Sequence, residues 1–436
     1  MEGILKVGIV GLGTVGSSLV RMIQQRVNQL QISCGRKIVV SAVCARDRSL
    51  DRGVDFSDAE WFDNPATMAD KAEIDVFVEL IGGEGDPAYS AIRVALMRGC
   101  HVVTANKALL ANHGVELAIL AEKNAAIFSF EAAVAGGIPI IKVLKDSLPY
   151  NEIVRIYGIL NGTCNYILSY MDKMDVSFED CLREAQSCGY AEDNPEFDIC
   201  GADSAHKLAI LSSIAFGVNT SIDGMSFKGI SSITLEDIRS ASDFGYRIKL
   251  LAMAQRTDDG GIERRVYPAM LKCDSSMAFV DGITNAVVIE TDILGKLLMV
   301  GPGAGGDATA SAVLGDIIDI AKIHQKKSLS FALGRPASSL TSCQSNRVNE
   351  QKKEYFIRMK IRNFEGVLDT IASQMDKFCI SLRILTCPHS DTSFQECSVV
   401  MITNAISETS VYSAIEFISN NNSLIEHPQV ICIENL

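Results

Sequence analysis

Basic residues are in the minority: 40 Lys and Arg stand against 53 Asp and Glu, a formal net charge of −13 over 436 residues. So acidic a chain is repelled by phosphate backbones and anionic lipid surfaces, which excludes nucleic acid and membrane as general partners. No apolar run reaches transmembrane length. The first residues run straight into a strand, leaving no room for a signal peptide. The 13 cysteines form no CxxC pair and no Cys/His cluster, so neither a zinc site nor a disulfide framework is indicated. They are expected as reduced thiols in a cytoplasmic protein. Low-complexity tracts and long internal repeats are also missing. What is present is ordinary globular composition, 47% hydrophobic and 21% charged, in a chain long enough for two or three full cores.

The chain opens on ILKVGIVGLGTVGSSLVRMIQQ. Ile4 to Val10 reads as a buried strand, and Gly11, Gly13 and Gly16 complete G-x-G-x-x-G as a helix begins at Thr14. The first glycine permits a tight turn, the second lets backbone approach a pyrophosphate, and the third lets helix pack on strand. Such turns also use glycine for structure alone, but a strand before and an amphipathic helix after mark a dinucleotide-binding domain. The second strand, from Lys37, closes at Arg46, with Asp47, Arg48 and Arg52 beside it. A guanidinium there can clamp the 2′-phosphate of NADP, whereas an acid would hold the ribose of NAD. Arg46 favours NADP, Asp47 keeps NAD open, and a solvated charged loop is the plain alternative.

Ile74 to Ile81 is the next strand, ending in Gly82-Gly83, and a helix follows from Pro87 to Arg98. A strand at His101 to Val103 places Lys107 just past its carboxyl end, where ligands of open α/β sheets lie; a solvated lysine is the ordinary reading. Phe128 to Glu131 is a short strand, and Ala135 to Pro139 a sharp turn opening a helix. Carbonyls freed by its glycines could serve a hard cation with Glu131, although the residues alone favour an ordinary turn. Tyr150 to Leu160 alternates as a strand. Asn161-Gly162-Thr163 then opens a helix whose free N–H groups can hold a carboxylate.

The richest stretch is AQSCGYAEDNPEFDICGADSAHK, Ala185 to Lys207. Asn194-Pro195 marks a turn, after which Asp198 is expected to cap a helix reading ICGADSAHKLAILSSIAF. On it Asp203 and Lys207 stand at i,i+4 and share one face with Ile210 and Ile214, which places the acid and the amine half buried. A solvent-facing ion pair is the alternative.

The spacing A-x3-G-Y-A-x2-N-P-x2-D-I-x-G-x-D-x3-K over this stretch resembles the signature of homoserine dehydrogenase. The N-terminal glycine turn, Thr104-Ala105-Asn106-Lys107, the Gly-Gly-Ile-Pro turn and Asn161-Gly162-Thr163 extend the resemblance over nearly the whole chain. Cys164 departs from it, standing where the family usually has a second threonine. The resemblance implies NAD(P)H-dependent reduction of aspartate 4-semialdehyde to homoserine, in threonine and methionine biosynthesis. Lys207 would be the proton donor, Asp203 would orient it, and Lys107 would lie between nicotinamide and substrate. Glu192, Asp198, Tyr190, Gly162 and Thr163 would bind the substrate. Gly11, Gly13, Thr14, Val15, Gly16, Arg46, Lys107 and Gly305 would bind the cofactor. A structural sodium ion would rest on Glu131, Val134, Gly136 and Ile138, three of them through backbone carbonyls. With no kinase domain ahead of it, the chain looks like the monofunctional form, a homodimer or homotetramer.

The expected organisation is α/β throughout. A Rossmann domain spans 1–138, with a return helix at 301–325. A substrate and dimerisation domain with an open sheet spans 139–300, and a Ser/Asn-rich linker 326–350. The last part, 351–436, reads βαββαβ, a ferredoxin-like split βαβ. It is similar to the ACT regulatory domain, although its loop Asn363-Phe364-Glu365-Gly366-Val367-Leu368 keeps the glycine of D-x-P-G-V-L and lacks the Asp and Pro. Threonine is the effector this implies; a dimerising or structural module is the alternative. Another NAD(P)-dependent amino-acid oxidoreductase and a non-catalytic nucleotide or amino-acid sensor are the rival functions.

Overall fold

The computed structural model describes residues 3–323, 330–342, 351–362, 366–387, 396–419 and 424–436. Six strands form the first sheet: β1 (Ile4–Val10), β2 (Lys37–Cys44), β3 (Glu60–Phe62), β4 (Val76–Glu79), β5 (His101–Thr104) and β6 (Phe128–Ser129). Their order is β3-β2-β1-β4-β5-β6, and every pair is parallel. Helices cover both faces, so β1 and β4 are almost wholly apolar and buried. The strand order reverses between β1 and β4, and a crevice opens there at the carboxyl ends. The helix Gly306–Lys322, which follows the second sheet's strand at Lys296–Pro302, packs on the helix Thr14–Gln25.

The second sheet departs from expectation. Its strands are β7 (Ile153–Ile159), β8 (Ser226–Phe227), β9 (Tyr246–Arg256), β10 (Ile262–Lys272), β11 (Thr284–Thr291), β12 (Lys296–Pro302), β13 (Glu354–Arg362), β14 (Leu382–Thr386), β15 (Glu396–Thr403) and β16 (Gln429–Glu434). They form a single sheet, β12-β11-β7-β9-β10-β16-β13-β15-β14, with β8 beside β10. The open sheet expected for 139–300 is thus extended by the C-terminal strands, joined where β10 and β16 pair in parallel from Ala269↔Cys432 to Leu271↔Glu434. Period-two alternation divides the residues between two cores. Leu250, Ala252 and Ala254 of β9 face the core shared with the helix Ala202–Phe216, while Leu251 and Met253 face the one shared with the C-terminal helices Val367–Lys377 and Glu408–Ser419.

Buried polar groups complete the join. The Tyr267 hydroxyl donates to Glu434 at 2.6 Å, and Lys353 pairs with the same carboxylate at 2.6 Å. Arg265 reaches Glu408 at 2.6 Å. Arg358 of β13, 4% exposed, donates to Asp237 at 2.7 Å and to Glu426 at 2.6 Å. Asp237 is itself half of a capping box with Thr234 at the start of the helix Leu235–Asp243.

Two further expectations change, and one lies partly outside the described residues. The helix read from Asp198 onward is two helices, Glu196–Ile199 and Ala202–Phe216, because Gly201 at φ 91° breaks the helical path between them. Asp198 therefore caps nothing and is free to face the site. Part of the expected linker, 330–342, is packed chain: Ala332, Leu333 and Ala337 are buried, and Thr341 exchanges backbone hydrogen bonds with Gly217 and Asn219. The loop Asn363 to Leu368 compared with D-x-P-G-V-L falls partly on 363–365, outside the described residues. Among the described residues no helix is long and apolar enough to cross a membrane.

Replacing Arg358 by alanine leaves the fully buried Asp237 without its guanidinium. The expected loss is about 3 kcal/mol of unfolding free energy, read as a lower urea midpoint at unchanged slope.

Candidate active site

The end of β7, the start of the helix Ala202–Phe216 and the start of the helix Lys107–Lys123 meet at one carboxylate. Asp203, 2% exposed, takes Lys207 Nζ on Oδ2 at 2.7 Å and Lys107 Nζ on Oδ1 at 2.9 Å. Lys207 comes from the next turn of the same helix. Lys107 comes from the other domain and opens its helix, where the positive end of the dipole disfavours a cation; Asp203 offsets this. The N-cap of that helix is Asn106, whose amide also donates to the Gly83 carbonyl at 2.7 Å. Glu79, buried at the end of β4, accepts from Ile81 N, Gly82 N and the Thr104 hydroxyl, fixing the loop between crevice and lysine.

Lys207 also donates to the Leu160 carbonyl at 2.7 Å and is 9% exposed, so the pair is buried rather than half buried. Burial pushes Lys207 below the ordinary lysine value, Asp203 resists, and Lys107 adds to the downward push. Burial works against ionised Asp203, yet the two ammonium groups hold its carboxyl well below the usual range. For Lys107 burial is outweighed by Asp203, and its value rises. The two lysines thus differ: burial moves Lys207 down, and Asp203 moves Lys107 up.

The substrate candidates lie on the open side. Asn161 Nδ2 bridges Asp198 at 2.7 Å and Asp203 at 2.9 Å. Thr163 Oγ1 lies 3.2 Å from Asp198 and donates to the Tyr190 carbonyl at 2.8 Å. Gly162 lets the helix start approach Ile283, whose carbonyl oxygen would lie 3.0 Å from a Cβ. Burial and then Asp203 raise Asp198. The Tyr190 ring packs on Tyr166, with centroids 5.0 Å apart. Glu192 is exposed, though near enough for its charge to raise Lys107. Asn161 was not singled out by sequence reasoning as a bridge between acids. Its signal was the N-cap position alone, which says nothing of Asp198 and Asp203.

On the cofactor side, a Cβ on Gly11 (φ 93°) would stand 2.5 Å from the Leu80 carbonyl oxygen, and one on Gly16 would stand 2.1 Å from the Gly11 carbonyl oxygen. At Gly13 nothing lies within 4 Å. Two glycines therefore serve packing, and the middle one leaves a cradle of the kind a pyrophosphate needs, at the N–H groups of Thr14 and Val15. The crevice continues as a space of about 560 Å³ lined by Thr14, Ser17, Ser18, Gly305 and Gly306. At the close of β2, Asp47 accepts from Ser49 N at 2.8 Å and Ser49 Oγ at 2.6 Å, while Arg48 and Arg52 lie over Trp61. Arg46 is exposed.

The cation candidates lie behind the site. Glu131, 3% exposed, accepts from Ile141 N at 2.8 Å and Lys142 N at 2.9 Å. Burial raises it to about 7. Val134, Gly136 and Ile138 are buried close by, and the Ile138 carbonyl accepts from Ile140 N at 2.8 Å. Among the described residues no three His, Cys, Asp or Glu side chains form a metal cluster.

A family model described as homoserine dehydrogenase matches residues 139–318, and one for the homoserine dehydrogenase NAD binding domain matches 11–131. Homoserine dehydrogenase of Helicobacter pylori is 39% identical, with 100% of both chains covered. That of Neisseria gonorrhoeae is 38% identical, with 99% of both covered. The crystal structure of a homoserine dehydrogenase from Thiobacillus denitrificans superposes with a TM-score of 0.92 at 36% identity over 100% of both chains. A hyperthermophilic archaeal homoserine dehydrogenase, solved in complex with NADPH, has a TM-score of 0.61 and is 30% identical, covering 72% of this chain and 97% of its own. The chain belongs to the homoserine dehydrogenase family, NAD(P)-dependent oxidoreductases that reduce aspartate 4-semialdehyde to homoserine.

Proposed function

We propose that Lys207 donates the proton to the aldehyde oxygen, with Asp203 orienting it and Lys107 placing the reacting carbonyl. The observation that carries this is one buried carboxylate shared by two ammonium groups, at 2.7 and 2.9 Å. When bound, the nicotinamide supplies the hydride. Negative charge developing on the aldehyde oxygen needs a cation that stabilises it and then gives up a proton. Of the three N–H bonds of Lys207, one goes to Leu160 and one to Asp203, leaving the third for substrate. Asp198 and Glu192 hold the substrate ammonium, Gly162 and Thr163 meet its polar groups, and Tyr190 walls the pocket.

NADP is the preferred cofactor, with NAD as the alternative. The support is that Asp47 is spent on Ser49 while Arg46 stands exposed at the close of β2. Sodium binds through Glu131 and the carbonyls of Val134, Gly136 and Ile138. Hard oxygen donors suit it, and it would keep the Glu131 carboxyl ionised against burial. The C-terminal module is an ACT-like regulatory domain. Its support is the order β16-β13-β15-β14, that of a split βαβ. Association into dimers or tetramers is favoured by β12, an edge strand with Val300 53% exposed and with exposed Ile293 and Leu294 in the turn before it. The cysteines whose side chains are described are free, as suits the cytoplasm.

Lys207→Ala is expected to cut turnover by roughly 10²–10⁴-fold while the cofactor still binds, measured by steady-state kinetics and fluorescence titration. In the parent, aldehyde reduction should fall and homoserine oxidation rise as pH climbs through the Lys207 pKa. Reduction uses the ammonium and oxidation the free amine. The crossing should lie below the value of a free lysine, because burial lowers it.

Homoserine oxidation should run faster with NADP than with NAD. Arg46→Ala should raise the KM for NADPH by roughly 10- to 150-fold, the equivalent of about 1.5–3 kcal/mol, and leave NADH nearly unchanged. Equal loss with both cofactors would make the side chain structural.

Threonine added to the full chain should inhibit homoserine oxidation saturably. An unchanged rate would reduce the C-terminal module to an assembly element. Deleting it is a poor test, since that uncovers β10 along the pairing with β16.

A further inference from the structure

The carbonyl oxygen of Leu160 receives two donors at once. Lys207 Nζ lies at 2.7 Å and the amide Nδ2 of Asn285 at 3.0 Å. Asn285 is on β11, one position beyond the Ala286↔Ile159 pair, and is fully buried. Its Oδ1 is buried and accepts nothing among the described residues. Exchanging the amide N and O would set that oxygen against the Leu160 oxygen, so the Leu160 contact fixes the orientation.

A second contact ties this amide to the cofactor loop. A Cβ on Gly303 would stand 2.0 Å from Asn285 Cγ and 2.2 Å from both amide heteroatoms, so the chain leading to Gly305 lies directly on it. Asn285 thus stands between the Leu160 carbonyl that Lys207 binds and the Gly303–Gly305 loop, although neither the glycine turn nor the Asp203–Lys207 pattern points to it.

Resting on the reading of Lys207 as proton donor, we propose that Asn285 is a positioning residue for proton transfer. Its amide anchors the Leu160 carbonyl, which aims the third N–H of Lys207 towards the substrate oxygen, and it competes with Lys207 for that carbonyl. A hydrogen bond to the charged form of an amine favours the charged form. A carbonyl that also accepts from Asn285 is a weaker partner, so the ammonium releases its proton more readily. Asn285 touches neither substrate nor cofactor in this account; it acts through Leu160 and Lys207.

The test is the pH profile of kcat for homoserine oxidation in Asn285→Leu, which keeps the branched shape and removes the donor. Without its competitor, Lys207 should hold its proton to higher pH. The rising limb should move up by roughly half to one pH unit, the scale of one modest hydrogen bond. kcat near neutrality should fall severalfold, with the KM for homoserine little changed. Thermal midpoints are recorded alongside. A limb that coincides with the parent's, with only the midpoint lowered, would overturn the proposal and leave Asn285 as packing for Gly303. Should the leucine variant not fold, Asn285→Asp replaces it: its added negative charge should move the limb further up, and an unmoved limb overturns the proposal equally. Residual activity of Lys207→Arg separates the two layers. A guanidinium does not titrate in this range, so the limb should vanish. If it persists unchanged, the assignment of Lys207 fails, and the role of Asn285 with it.

Discussion

Everything at the site turns on one buried negative charge. A carboxylate as enclosed as that of Asp203 is costly to ionise unless it is paired and hydrogen-bonded. Here Lys207 and Lys107 pair with it and Asn161 donates to it. Because Lys107 belongs to the nucleotide half and Lys207 to the half that carries β7, the same charge pairs with a lysine from each and ties the two halves together. Neither lysine could be so enclosed without the acid, and the acid could not stay ionised without them. The difference between the lysines follows from exposure: the Lys107 side chain is 36% exposed and that of Lys207 11%.

Much of this was legible in the sequence, for reasons that differ by element. The nucleotide half announces itself because its constraint is local: a strand, a turn needing glycines at fixed spacing and a helix, all within two dozen residues. The i,i+4 spacing of Asp203 and Lys207 is equally local. What the sequence concealed was either a break or a long-range pairing. Gly201 interrupts an otherwise continuous helical pattern, and a lone glycine does not say whether it bends or breaks a helix. The strand β9 was not anticipated because its middle, LLAMA, is buried on both faces and loses the alternation that marks a half-exposed strand. The helix Leu235–Asp243 likewise went unread.

The register of β16 against β10 was the least legible feature, since nothing in either strand names its partner. No motif or spacing marks its polar companions either. Arg265, Arg358, Lys353 and Glu434 are ordinary residues at ordinary positions, and only the assembled sheet encloses them. The Ser/Asn-rich stretch before β13 misled in the opposite way. Its composition suits an open linker, yet Ala332, Leu333 and Ala337 are buried.

The placing of β16 also has a temporal side. This strand comes near the close of the sequence, yet in the sheet it sits between β10 and β13 rather than at an edge. As the chain is synthesised, β10 emerges long before its neighbour and must wait with the backbone N–H and C=O groups of its Ala269–Leu271 edge unpaired. The wait extends until residue 434 has left the ribosome. Closing so large a loop is a slow step, and an unpaired strand edge invites pairing with another chain meanwhile. For nascent chains growing side by side, the order of synthesis therefore opens an interval in which β10 of one can capture β16 of another.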